Sequence, residues 1–285
     1  MSYLGIIIAV ECAIIVYELK DTVGNILELA YYLGWGLCNE AGILICFSIP
    51  FTFYLISKAT QARVMFMQNL KIVISIIGVI LTTSRGSYLC CFGLTLVLYV
   101  VGLFLTKNKI KYLQFIILFL TSIFIAVAIA GNDAIKFYND VLDKVFYNDL
   151  DSNGRKELWI LAMNHFLEKP LYTVFGSGMV SDIIPIGTAA GYQDGFWVYH
   201  STIFETLAIS GLCGFFFLLF HFVEKYRNIS YVNKNFLVII GIGYFFTDLY
   251  GFIDNTYHMY YYMIPLAIIM ASVDSECFSK PLALF

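Results

Sequence analysis

An all-α, multi-pass membrane protein of about eight transmembrane helices, with one long loop between the fifth and sixth, is the fold class this sequence predicts. Three observations predict it. Of 285 residues, 60% are hydrophobic and only 13% charged, where a soluble domain carries roughly 25% charged residues. The apolar residues fall into runs near the length of a bilayer crossing, about 20 residues each. One stretch, 131–199, breaks that pattern as the only long segment that is not apolar throughout. The expected organisation is an N-terminal bundle over 1–130 with about five helices, an extracytoplasmic loop over 131–199 with a surface helix, and a C-terminal bundle over 200–285 with about three.

The spans follow in order. Residues 1–19 are apolar but lack a basic leader and a small-residue cleavage site, so they read as a span and not a cleavable signal peptide. Tyr31, Tyr32 and Trp35 form an interfacial cluster before the second span, 39–57. The third, 72–83, is short and is expected to recruit part of 65–71. Spans 88–106 and 112–130 complete the first bundle, and 202–223, 236–253 and 257–272 make the second. Phe196, Trp197 and Tyr199 precede the sixth span, and Tyr257, Tyr260, Tyr261 and Tyr262 open the last.

Basic residues set the expected orientation. Lys58, Arg63 and Lys71 share one connection, Lys107, Lys109 and Lys111 another, and Lys225, Arg227 and Lys234 a third. The opposite short connections offer Lys20 and Arg85. The positive-inside rule then puts both termini in the cytoplasm and the long, acidic loop outside. Within that loop, Asp151-Ser152-Asn153-Gly154 signals a helix start and Pro170 a stop. Leu158, Trp159, Ala162 and Phe166 fall on one face, which is expected to lie on the membrane surface. The glycines from Gly176 to Gly195 predict an irregular segment after it.

The 7 cysteines lie mostly in apolar runs and show no CxxC, which reads as buried small residues and not a disulfide framework or zinc site. His165, His221 and His258 lack companions at metal-ligand spacing. No metal or other cofactor is expected, and nothing in the chain points to nucleic acid.

Arg85 is the first residue that could carry chemistry. Thr82-Thr83-Ser84-Arg85-Gly86-Ser87 joins two apolar spans with almost no polar loop, so the guanidinium must lie at the interface. Charges there are functional by default, although snorkelling to lipid phosphate is the plainer alternative. A guanidinium suits a diphosphate because its planar fork donates two parallel charged hydrogen bonds. His200, at the mouth of the sixth span, can accept a proton near neutral pH or can be an interfacial imidazole. Glu205 lies in the apolar run after it and needs a partner or a wet cavity. Arg155 is a second phosphate ligand or a solvated charge. Asp182 and Asp194 make a weak two-carboxylate glycosidase pair.

Taken together, these residues form a pattern. Thr-Ser-Arg-Gly between two spans is followed by a long loop with Gly154-Arg155, Leu158-Trp159, Pro170-Leu171 and Gly176-x-Gly178. Then come His200-x-x-x-Phe204-Glu205 and Gly211-Leu212-x-Gly214, with Asn39-Glu40 upstream. This order resembles the O-antigen polymerase and O-antigen ligase superfamily over roughly 36–214. Ser201 stands where that family commonly has Asn.

The resemblance implies a GT-C-like, metal-independent glycosyltransferase at the outer face of a bacterial cytoplasmic membrane. Its donor and acceptor would be oligosaccharides on polyprenyl diphosphate, and a chain-length-regulating co-polymerase would be a partner. Arg85 would hold the diphosphate with Arg155, and His200 would serve the acceptor hydroxyl. Asn39, Glu40, Glu205 and Trp197 would line the substrate site. Losing Arg85 would cost about 3–4 kcal/mol of transition-state stabilisation. The expected function is polymerisation of repeat units into a capsule, exopolysaccharide or O-antigen. The near alternative is a ligase moving the finished glycan to lipid A core or protein. From a different class, a lipid-linked glycan transporter would need charges buried in mid-span along a through-path.

Overall fold

In a computed structural model the described residues are 1–19, 38–82, 84–105, 155–178, 199, 201–230 and 234–253, with isolated positions between 109 and 120 and between 263 and 271. Their regular secondary structure is all helix, with no strand among the described residues. The helices are α1 (Leu4–Leu19), α2 (Cys38–Lys58), α3 (Ala62–Leu81), α4 (Arg85–Leu105), α5 (Arg155–Glu168), α6 (Pro170–Phe175), α7 (Thr202–Ser230) and α8 (Lys234–Tyr250). Among the described residues four helices, α2, α3, α4 and α7, are long and apolar enough to cross a membrane. α1 and α8 are shorter apolar helices. The expected spans 112–130 and 257–272 lie largely outside the described residues.

The chain forms two compact units. The first holds α1–α4 and most of α8, and it is built around α2, whose residues Ala41 to Pro50 are all buried. Because lipid is as apolar as leucine, helices associate in a membrane by close packing of small residues and not by expelling water. A methyl group at Gly5 of α1 would lie 2.0 Å from Ser48 Oγ of α2, and one at Gly78 of α3 would lie 2.3 Å from Ala9 of α1. Gly243 of α8 receives the ring of Pro50, which lies inside α2. Phe47 then meets Tyr244 edge to face, with centroids 5.0 Å apart.

The third span is longer than the apolar run alone predicts. α3 takes in residues 65–71, as expected, and the connection before it shrinks to Ala59, Thr60 and Gln61. Lys71 therefore belongs to a helix and not to a loop. It is 7% exposed, and its ammonium lies 3.4 Å from the centroid of the Tyr3 ring, a cation–π contact that offsets part of its desolvation. Two residues earlier, Asn69 accepts a hydrogen bond from Tyr99 of α4 at 2.8 Å and donates one to Met65 O at 2.9 Å.

The second unit holds α5, α6 and most of α7. α7 is not one straight rod. Gly211 has φ 62° and ψ −160°, which breaks the helix into arms 202–210 and 212–230. Two contacts reveal how sharp the bend is. Thr202 N–H donates to Gly251 O at 2.8 Å, and Lys225 bonds Asp248. In a straight helix Thr202 and Lys225 would stand about 34 Å apart, whereas Asp248 and Gly251 are within about 10 Å along the chain. Only a bent α7 satisfies both.

Lys225, read from sequence as a loop residue, is fully buried in α7. The Asp248 carboxylate also accepts from Tyr226 Oη at 2.6 Å, and the ammonium faces the rings of Phe222 and Tyr226 at 4.7 and 4.8 Å. Lys71 and Lys225 are therefore buried basic residues within the helices.

α5 runs as the loop signals predict, but its apolar face does not meet the membrane. Leu158, Ala162 and Phe166 are buried in the protein. Ala162 packs with Tyr199 and Ala208, and Trp159 stacks on Phe204 at 5.3 Å. The helical periodicity reported a face correctly, and the first arm of α7 is what covers it.

Candidate functional site

Two sets of motif residues are built in detail, one in each unit. In the first unit, α3 ends at Leu81 and the chain turns straight into α4. Thr82 caps α3, its hydroxyl donating to Val79 O at 2.7 Å. Ser84 caps α4, its carbonyl accepting from Tyr88 N–H at 3.0 Å and its hydroxyl from Ser87 N–H at 3.4 Å. Such a cap satisfies backbone donors that would otherwise be orphaned at a helix start. Tyr88 closes the turn by donating to Ile80 O at 2.8 Å.

Arg85 is thus the first residue of α4; its backbone is described and its side chain is not. The Ser84 hydroxyl donates to Asn39 Oδ1 at 2.7 Å, and the Ser87 hydroxyl lies 3.5 Å from Asn39 O. A methyl group at Gly42 would stand 2.3 Å from Ser87 Oγ, so the start of α4 sits directly against the start of α2. Asn39 and Glu40, both half-buried, occupy the first turn of α2. The Asn-Glu pair and the Ser-Arg-Gly turn are therefore joined through Asn39 and Ser84, 45 residues apart. Sequence reasoning marked Asn39 and Arg85, and it quoted Ser84 and Ser87 in the turn without giving either a role, although they stand on either side of the Arg-Gly pair.

In the second unit the described residues flank His200, which with Trp197 lies outside them. Ser201 caps α7, accepting from Phe204 N–H at 3.5 Å. A serine serves this cap as asparagine would, which gives the family departure a structural role. Glu205 is 4% exposed, and its carboxylate accepts from Tyr199 N–H at 3.2 Å. The acid in the apolar run has the partner it needs, and it fixes the residue just before His200.

Gly176-Ser177-Gly178 has an equally specific place. A break in a membrane helix leaves carbonyls without their helical donors. Ser177 N–H donates to Ala208 O at 3.0 Å and Gly178 N–H to Ile209 O at 2.9 Å, on the N-terminal side of the Gly211 break. The Ser177 hydroxyl adds a contact to Ala208 O at 3.1 Å. Gly176 and Gly211 both have positive φ, and a methyl group at Gly176 would lie 2.1 Å from Ile209 O. Only glycine fits either position. Arg155 opens α5, again with its backbone described and its side chain not. Asp182 and Asp194 lie outside the described residues.

Of the sequence-predicted residues, the structure brings Asn39 to the turn that carries Arg85, and Glu205 to the backbone beside His200. Among the described residues no three His, Cys, Asp or Glu side chains could hold a metal ion. No curated protein and no solved structure matches the chain. The family model described as O-antigen ligase matches residues 70–219, from the middle of α3 through the Gly211 break. With apolar helices long enough to cross a bilayer and a match spanning more than half its length, this multi-pass membrane chain belongs to the O-antigen ligase family.

Proposed function

We propose that the chain is a membrane glycosyltransferase that joins oligosaccharide repeat units carried on polyprenyl diphosphate into a surface polysaccharide, at the outer face of the cytoplasmic membrane. The observation that carries this reading is the Asn39–Ser84 hydrogen bond. It locks the start of α4 so that Arg85 adds a guanidinium to a helix N-terminus, where unpaired N–H groups already favour an anion. A diphosphate is the anion such a pairing suits. Arg155, which also opens a helix, is the second ligand.

The chemistry needs little else. The acceptor hydroxyl attacks the anomeric carbon and gives its proton to His200. The bond to the lipid diphosphate breaks, and that group leaves with the electron pair. Negative charge on the leaving diphosphate grows along the way, so fixed cations favour the transition state over the bound donor. Glu205 and Ser201 hold the backbone on either side of His200, and Glu40 and Trp197 line the sugar side. No metal enters this scheme, and a co-polymerase sets chain length.

The family description favours a second reading, in which the finished glycan passes to lipid A core or protein. A transporter is the rival from another class. Its requirement for buried charge is met by Lys71 and Lys225, but the first lies against the Tyr3 ring and the second is bonded to Asp248. One assay separates all three. Membranes bearing Arg85→Ala, with expression verified, are expected to make no polymer, and Arg85→Lys to retain a little. Wild-type membranes should lengthen lipid-linked chains. Transfer to another carrier makes the chain a ligase, and movement of donor without a new glycosidic bond makes it a transporter.

A further inference from the structure

With one face of α5 occupied by protein, a second apolar surface is left over. It gathers at the end of α5 and along α6, where Leu167, Leu171, Val174 and Phe175 are 63%, 65%, 41% and 63% exposed. α6 presents these side chains from a rigid base. Its end is bonded to Ala208 and Ile209 through Ser177 and Gly178. The backbone of Val174 comes within 2.6 Å of where a methyl group at Gly211 would sit. A surface this apolar, held this firmly, calls for a partner.

Two observations identify it. The first is continuity. The arm of α7 beginning just after Gly211 exposes Phe216, Phe217, Phe220 and Val223 at 63–75%, the strip that a membrane helix shows to lipid. α6 is pinned at the head of that strip. The second is the rim. Lys169 is exposed between α5 and α6, and its ammonium lies 3.3 Å from Tyr172 Oη and 3.4 Å from Glu168 Oε1. The Tyr172 hydroxyl, with Glu168, raises its pKa above the ordinary lysine range and keeps it charged. A cation and a tyrosine hydroxyl beside apolar side chains suit the phosphate level of a bilayer.

We propose that α6 is a membrane anchor: Leu167, Leu171, Val174 and Phe175 seat among the acyl chains of one leaflet, with Lys169 and Tyr172 at its phosphates. The anchor fixes the depth of the Gly211 break. The partner is bilayer lipid, through the residues facing away from Leu158, Ala162 and Phe166.

The test uses the full chain purified into phosphatidylethanolamine–phosphatidylglycerol vesicles, so that no other protein can shield α6. Leu171→Cys, Phe175→Cys and the exposed Glu157→Cys are each treated with a water-soluble maleimide, with the unsubstituted protein as background. Because thiolates react from water, the first two are expected to label at about a tenth of the Glu157→Cys rate or less. A fluorophore placed on Leu171→Cys in detergent should, after reconstitution, be quenched by brominated acyl chains, and one on Glu157→Cys should not. Equal labelling and equal quenching at all three positions would overturn the anchor. Protection in cells but free labelling in these vesicles would also overturn it, because a protein and not lipid would then be the cover.

Discussion

Helices α2 and α7 are alike in sequence and opposite in situation. Both are long and apolar, yet the most apolar window of α2 is 72% buried and that of α7 is 17% buried. Beyond the Asn39–Ser84 bond at its start, α2 is held by side-chain fit, with Ser48 against Gly5, Gly42 against Ser87, and Pro50 against Gly243. α7, with little side-chain burial, is held by polar bonds at chosen points: a serine cap, two N–H donors at its break, and a buried ion pair. The lesson is that hydropathy locates a membrane helix but does not tell how it is secured. The motif residues gather where the securing is polar.

The contrast can be broken most severely at Lys225. Replacing it with Met takes the ammonium away from the buried Asp248 carboxylate, which is expected to cost about 3–5 kcal/mol. Asp248→Leu in the same chain should restore most of it, read as melting temperature in detergent. An equal loss in single and double variants would mean the pair does not act as a unit.

Gly211→Val comes next. It combines a strained positive φ with a clash against Val174 and Gly176, for about 2–4 kcal/mol. The matching change in the close-packed region, Gly42→Val, should cost about 1–3 kcal/mol by overpacking alone. If Gly42→Val proves the worse of the two, backbone bonding at the break is not what secures α7. The smallest effect is expected at Ser84→Ala, about 0.5–2 kcal/mol for a lost cap, but with transfer falling further than stability because Asn39 then releases the turn.

Much of the architecture could be read from the chain. The apolar runs marked α1 to α4, α7 and α8, and the Asp-Ser-Asn-Gly and Pro170 signals bounded α5. What could not be read has a physical reason in each case. Lys71 and Lys225 read as loop residues because a charge near the end of an apolar run normally faces water; their partners, Tyr3 and Asp248, are supplied by other segments. Gly211 gave no warning because glycine is ordinary in membrane helices, and the donors that stabilise its break lie more than thirty residues upstream, at Ser177 and Gly178. Periodicity placed Leu158, Ala162 and Phe166 on one face, but it does not say whether lipid or protein lies opposite. At the site, the Asn39-Glu40 and Ser84-Arg85 motifs were legible one by one, and the hydrogen bond joining them was not.

In the proposed mechanism Arg85 grips the diphosphate of the donor while His200 serves the acceptor, and binding and transfer can be measured apart. Purified wild type, Arg85→Ala and His200→Ala should each be titrated with a polyprenyl-diphosphate oligosaccharide and then assayed for chain lengthening. The expected result is that His200→Ala binds donor as the wild type does but transfers slowly. Arg85→Ala should lose donor binding, with transfer down about 100- to 1000-fold. Undiminished binding and transfer in Arg85→Ala would contradict the account.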